Sequence, residues 1–397
     1  MIGRTPVTHR KARRNRRRLR ITVRRSKLRT GRQAGVEVVD LDNGRLSLRV
    51  CPTRGMGILC AAAGNLRLGW DSPAGLVVHP RHIDLRKRGG TGWLDGFTEL
   101  VVRCGLRNIG RPGWDAFRSV GRARREFLTL HGSAANLPAR EVRINRHASG
   151  VSLSGVVVET AGDDVLELRT TISLSAGAAG FRIVDIVTNR GKQPAEFQLL
   201  YHSNFGAPLL AEGTRFLAPI NCLAGMDAHA ARRAGTFDRY RGPTPGFREE
   251  VYLVRLLADR RGRSIVALAN QQGDAAVSIE FAVSALPCLT LWKQTGTCAE
   301  RYVTGLEPGT SFPNHRSVER KHSRVKTLAP GESYRAALVY RVHRGAVEMA
   351  RLRRRIASIQ GSVLPKILSL ARFNVRGNDR PQLFEPPGGL VWAPVMG

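Results

Sequence analysis

No part of this chain stays apolar for long. Its longest apolar runs, such as Gly206 to Leu210 and Ile265 to Leu268, fall far short of the roughly 18 residues a membrane-crossing helix needs, so no membrane association is expected. Cysteine is sparse and scattered. The six residues (Cys51, Cys60, Cys104, Cys222, Cys288, Cys298) form no C-x-x-C pair and no histidine cluster stands at zinc spacing, so neither a disulfide scaffold nor a metal site is expected. Acidic residues are few, 31 against 64 basic ones, which leaves a formal net charge of +33. Lysine is rarer still, 8 residues against 56 arginines. A surface built for phosphates more often mixes the two and interleaves them with aromatics, so a uniform arginine excess fits a coding bias better than a nucleic-acid face. No apolar segment follows the basic start, so no secretory signal is read and the cytoplasm is the expected compartment.

What is present is an ordinary globular composition: 397 residues, 42% hydrophobic, with 42 Gly and 20 Pro. That is enough for one large domain or two average ones. Three segments emerge. Residues 1–33 hold 14 Arg and Lys and no acid, and read as a basic disordered tail, or alternatively as an arm for nucleic acid. Residues 34–345 switch to short alternating apolar runs punctuated by Gly, Pro, Asn and Asp, the pattern of β-strands. From Val165 to Leu174, for example, Leu166, Leu168, Ile172 and Leu174 share one parity while Glu167, Arg169, Thr171 and Ser173 share the other. A dozen or more such runs without interleaved amphipathic helices predict an all-β chain, one large antiparallel β-sandwich. Residues 346–397 begin with an amphipathic helix over Ala346 to Ile359, with Val347, Leu352, Ile356 and Ile359 on its apolar side. They end in a proline-bearing tail without a period, expected to be poorly ordered.

Three polar strings interrupting the strands carry candidate chemistry. His202 ends an apolar run and is followed by Ser203, Asn204, Phe205 and Gly206, a turn rich in groups that hydrogen-bond or stack. His131 lies between Leu130 and Gly132, where the glycine lets a ligand approach the backbone. Glu307, among Gly305, Leu306 and Pro308, is a carboxylate with little to solvate it, as a general base near neutral pH requires. Each has a bland alternative: a core histidine, a loop histidine and a turn carboxylate.

Taken in order, these strings resemble the aldose 1-epimerase (galactose mutarotase) superfamily, and more closely its mutarotase-like branch described as a domain of unknown function. Leu130-His131-Gly132 resembles the L-H-G-G motif, Tyr201 to Phe205 the N-H-x-Y-F-N motif, and Leu306-Glu307 with Phe312-Pro313-Asn314 the L-E-T-x-x-x-P-D-x-x-N motif. The likeness runs over most of residues 35–345. Ser133 departs from the second glycine of the first motif, and Thr310-Ser311 from the spacing of the last. Asp238 is a weak match for the aspartate that holds sugar hydroxyls in that superfamily.

The resemblance implies a mutarotase-like supersandwich and a small-molecule sugar substrate whose anomers interconvert by opening and closing a cyclic hemiacetal. It implies Glu307, ionised, as base at the C1 hydroxyl, His202, protonated, as acid at the ring oxygen, and His131 as a donor to that oxygen. No metal or cofactor is needed. Around them, Trp93, Trp292 or Phe205 could stack on a pyranose, and Asp95, Glu99, Arg103, Asn136, Asn204 and Gln294 could bond its hydroxyls. Alternatives are a carbohydrate-binding module without turnover, and a nucleic-acid-associated protein acting through the basic tail.

Overall fold

The computed structural model describes residues 21–374 apart from 120 and 121. The alternating runs become strands of two antiparallel sheets, one of thirteen strands and one of eight, with a separate two-stranded hairpin. The run read from Val165 to Leu174 is the strand Asp164–Ser175, with Leu166, Leu168, Thr170, Ile172 and Leu174 all buried and Arg169 exposed. The sheets face each other across one core. Leu199, Tyr201, Leu291 and Leu306 of the larger sheet pack there with Leu168, Ile172, Ile183 and Leu338 of the smaller, as expected when period-two apolar faces stack.

Five strands lie side by side at the middle of the larger sheet: Val101–Leu106, Ala195–Phe205, Tyr302–Gly309, Cys288–Thr295 and Glu250–Leu256, each antiparallel to the next. Their inner side chains enter the sandwich core; their outer ones form a second apolar cluster with Trp70, Trp93 and Phe97. The hairpin, Gly113–Ser119 with Arg122–Leu128, was not expected from the strand pattern. Its Asp115 and Glu126 are held by Arg316, buried on the helix Arg316–Lys321, with 2.7 Å to Asp115. It therefore fixes where the next turn, Thr129 to Gly132, meets the sheet.

Two boundaries differ from expectation. Residues 22–27, assigned to the tail, form the strand Thr22–Lys27, paired in register with Glu37–Asp42; most of the basic run, residues 1–20, lies outside the described residues. The terminal helix is present as Ala346–Gln360, but its buried side is Met349, Leu352 and Ile359, with Val347 exposed. Beyond it, where little order was expected, Lys366–Ile367 pairs in parallel with the strand Ile220–Gly225, and Phe373 is buried against Phe312. Residues 375–397 lie outside the described residues.

Candidate active site on the outer face of the larger sheet

His202 and Glu307 were read as sitting at strand ends or turns. Both instead lie inside strands, Ala195–Phe205 and Tyr302–Gly309. The glycine and proline around Glu307 suggested a turn; here they are strand residues, with Pro308 opposite Leu289. The antiparallel register, Leu200 opposite Gly309 and Ser203 opposite Leu306, places His202 and Glu307 across from each other. Their side chains meet on the outer face, Nε2 to Oε1 3.2 Å. Both are nearly closed off from solvent, at 4% and 2% exposure, and Glu307 Oε1 makes no aligned hydrogen bond despite its burial. Gly305 makes the approach sterically feasible. A methyl group there would strike Glu307 Oε1 and come within 3.2 Å of His202 Cε1 and Trp292 Cε3.

The tautomer of His202 is set by its neighbour. Asn204 directs its amide nitrogen to the backbone carbonyls of Glu99 at 2.9 Å and His202 at 3.2 Å. Its oxygen must then accept, so His202 Nδ1 donates to it, 2.6 Å away. In a neutral ring this leaves a lone pair on Nε2, facing Glu307. Burial favours that neutral form. It pushes the His202 imidazole well below its usual range, helped by the adjacent His131, and pushes the Glu307 carboxyl well above its own, helped by the negative charge of Glu249. Both shifts favour the neutral forms of the pair over the ionised glutamate and protonated histidine that the resemblance implies.

His131 reaches the same place from the turn above. Its backbone is left-handed, φ +58°, a conformation uncommon for a residue with a side chain and tolerated best by Asn, Asp and His. Nδ1 lies 2.8 Å from the Ile109 carbonyl, and the ring sits 5.5 Å from that of His202. Desolvation lowers its pKa to about 4. Gly132 comes next with φ +70°, where a Cβ would lie 2.5 Å from the carbonyl oxygens of Gly105 and Asn108. Ser133, the departure from the motif, anchors the turn: its hydroxyl donates to buried Glu159 at 2.6 Å, and the same carboxylate accepts from the backbone N–H of Leu106 at 2.6 Å. The walls are aromatic. Trp93 packs at 4.6 Å from His131, Phe97 at 5.0 Å and Trp292 at 5.3 Å from His202. Trp93 is fully buried with its indole N–H unpartnered.

The remaining sequence candidates divide. Trp292 forms a wall, and Gln294 lies two residues along the same strand face with its side-chain oxygen buried and unpaired. Asn204 orients His202. Glu99 and Asn136 sit in a buried triad with Arg54, which bonds both, 2.9 Å to Glu99; they brace the floor through the Glu99 carbonyl. Asp95 is on the outside, paired with Arg88 at 2.6 Å. Two placements are corrected. Arg103 lies on the inner face, crossing the core to Asp185 at 2.5 Å, and Phe205 is also in the inner core. Strand alternation explains both: Phe205 is an odd number of residues from His202, and Arg103 follows Val102, the residue opposite His202. Asp238 pairs with Arg215 at 2.8 Å. Sequence reasoning missed Arg54, Phe97 and Glu249. No spacing in the sequence marks Glu249, which meets Trp292 only through the register of two adjacent strands.

Among the described residues no group of three or more metal-ligating side chains occurs, and no helix is long and apolar enough to cross a membrane. A cleft of about 820 Å³ flanked by Arg45, Arg182, Tyr340 and Arg344 shares no residue with the site.

Sheet order and sandwich packing are those of the galactose mutarotase-like β-sandwich fold. Solved structures agree. A galactose mutarotase-like protein from Clostridium acetobutylicum has TM-score 0.60 at 14% identity, covering 82% of this chain and 99% of its own. Galactose 1-epimerase from Lactobacillus acidophilus NCFM has TM-score 0.54 at 11% identity, covering 82% and 100%. At such identities the likeness is one of fold. A protein of Klebsiella pneumoniae subsp. pneumoniae MGH 78578 bearing the name "putative aldose 1-epimerase" is much nearer, with TM-score 0.81 and 37% identity over 87% of this chain and 90% of that one. Residues 33–342 match the family described as a domain of unknown function (DUF4432), and the chain belongs to that family. No curated protein matches it.

Proposed function

We propose that this site binds the ring form of an aldose and interconverts its anomers. The observation that carries the reading is the contact between His202 Nε2 and Glu307 Oε1 at 3.2 Å, in a desolvated site walled by Trp93, Trp292 and His131. Opening a cyclic hemiacetal takes a proton from the C1 hydroxyl and gives one to the ring oxygen. A pair holding one proton between two groups can do both. Glu307 acts as base once its proton has passed to His202, which then protonates the ring oxygen; His131, whose Nδ1 proton is committed to the Ile109 carbonyl, offers Nε2 as an acceptor for a sugar hydroxyl. Rotation about C1–C2 and the reverse transfers close the ring on the other face. Positioned acid–base groups of this kind accelerate proton transfer by on the order of 10² to 10⁴, which suffices for a reaction that sugars also undergo unaided.

The test is exchange between α and β anomers, followed by NMR magnetisation transfer across a panel of aldoses at equilibrium. Acceleration proportional to protein concentration for at least one sugar is the expected result. Binding without acceleration would assign a carbohydrate-binding module instead.

A further inference from the structure

We infer that Glu249 sets the substrate class of this site, favouring neutral sugars and turning away acidic ones. The inference rests on the sugar-site reading of the proposed function and adds a residue that reading does not use. Glu250 lies opposite Lys293 and Val251 opposite Trp292, so the residue before Glu250 falls beside Gln294, at the end of the face that carries Trp292. There the Glu249 side chain is exposed, and its Oε2 accepts the Trp292 indole N–H at 2.9 Å. Its Oε1 has no partner among the described residues. Glu249 thus fixes the orientation of the aromatic wall and leaves one carboxylate oxygen to accept from a ligand hydroxyl.

The charge is as informative as the hydrogen bond. This is an arginine-rich chain, yet no cation answers Glu249 among the described residues. Lys293 belongs to the inner face, donating to the Arg239 carbonyl at 2.7 Å and lying 3.4 Å from Glu250. Arg103 is spent on Asp185 and Arg54 on Glu99. Arg248, the preceding residue, pairs with Asp227 at 3.0 Å. Arg255 lies farther along its strand, over the rings of Phe312 and Phe373. Both site histidines are held neutral by burial. A phosphate, sulfate or carboxylate on the ligand would therefore meet a fixed negative charge with nothing to offset it, while neutral hydroxyls would find an acceptor. The positive charge of the chain as a whole draws anions to the surface; the site itself discriminates against them.

The experiment is calorimetric binding to the full chain of four probes, galactose, glucose, galacturonate and galactose 6-phosphate, with wild type and with Glu249→Gln. Glutamine keeps an acceptor for the Trp292 indole and removes the charge. Wild type is expected to prefer a neutral hexose to its acidic counterpart by about tenfold or more. Glu249→Gln should erase most of that preference, read as the ratio of neutral to acidic affinity in the same protein. Equal or tighter binding of the acidic sugars by wild type, or a preference unchanged in Glu249→Gln, overturns the proposal while leaving the sugar-site reading intact. Failure of all four to bind a protein shown folded by circular dichroism overturns both.

Discussion

Asn204 decides how His202 can act. With its amide nitrogen committed to two backbone carbonyls, it accepts from Nδ1 and turns the basic nitrogen of the ring toward Glu307. Because burial lowers the imidazole and raises the carboxyl, the active pair holds one proton. Activity is lost when a second is added, below the ordinary histidine value, and when the last is removed, above the ordinary glutamate value. The pH–rate profile should be a broad bell whose acid limb lies below about 6.5. Replacing Asn204 with Asp puts a carboxylate on Nδ1, favours the imidazolium, and should move that limb upward; a limb that stays put would contradict the assigned tautomer. His131 links the site to stability. The unfolded imidazole takes its proton as pH falls through about 6.5, whereas the folded one waits until about 4. Stability is thus full above that window and falls across it, by up to roughly 3 kcal/mol. Urea titrations of His131→Asn, which tolerates the left-handed backbone, should show a shallower decline between those pH values.

At the scale of the strand, the site is a matter of parity. His202 and Asn204 point outward while Tyr201, Ser203 and Phe205 point inward. Alternation made the strands readable from sequence, but not which parity faces the core when both sides are apolar. That is why Arg103 and Phe205 were assigned to the wrong side. The motif residues His131, His202 and Glu307 were readable because they recur in a fixed order; Arg54, Phe97 and Glu249 were not, because each acts through a contact distant in sequence or through strand register. Glu307 was read as lying past a strand end, with a turn carboxylate as the alternative, because Gly305 and Pro308 punctuate turns more often than strands. Here Gly305 provides room. Gly305→Ala should leave the fold and its melting temperature nearly unchanged while displacing the carboxylate and reducing anomer exchange on the order of 10². Equal loss of stability and activity would mean that the glycine serves the sheet, not the site.

For the molecule as a whole, two sheets close over one core, and buried Arg103 and Asp185 bridge it. Removing only the arginine leaves a buried charge uncompensated, and Arg103→Ala should cost roughly 3–5 kcal/mol in chemical denaturation. The sandwich was evident from strand density. The edge strand Thr22–Lys27 was hidden by its basic composition, although Arg and Lys on an edge are what discourages pairing with another chain. Deleting residues 1–33 should therefore uncover Glu37–Asp42 and promote aggregation in light scattering. Most directly at stake is whether the pair on adjacent strands performs the chemistry. Anomer exchange measured by NMR on the aldose that wild type accelerates best, repeated with Glu307→Gln, answers it. Exchange should fall to the uncatalysed rate while calorimetry still registers the sugar; undiminished exchange in Glu307→Gln would contradict the account.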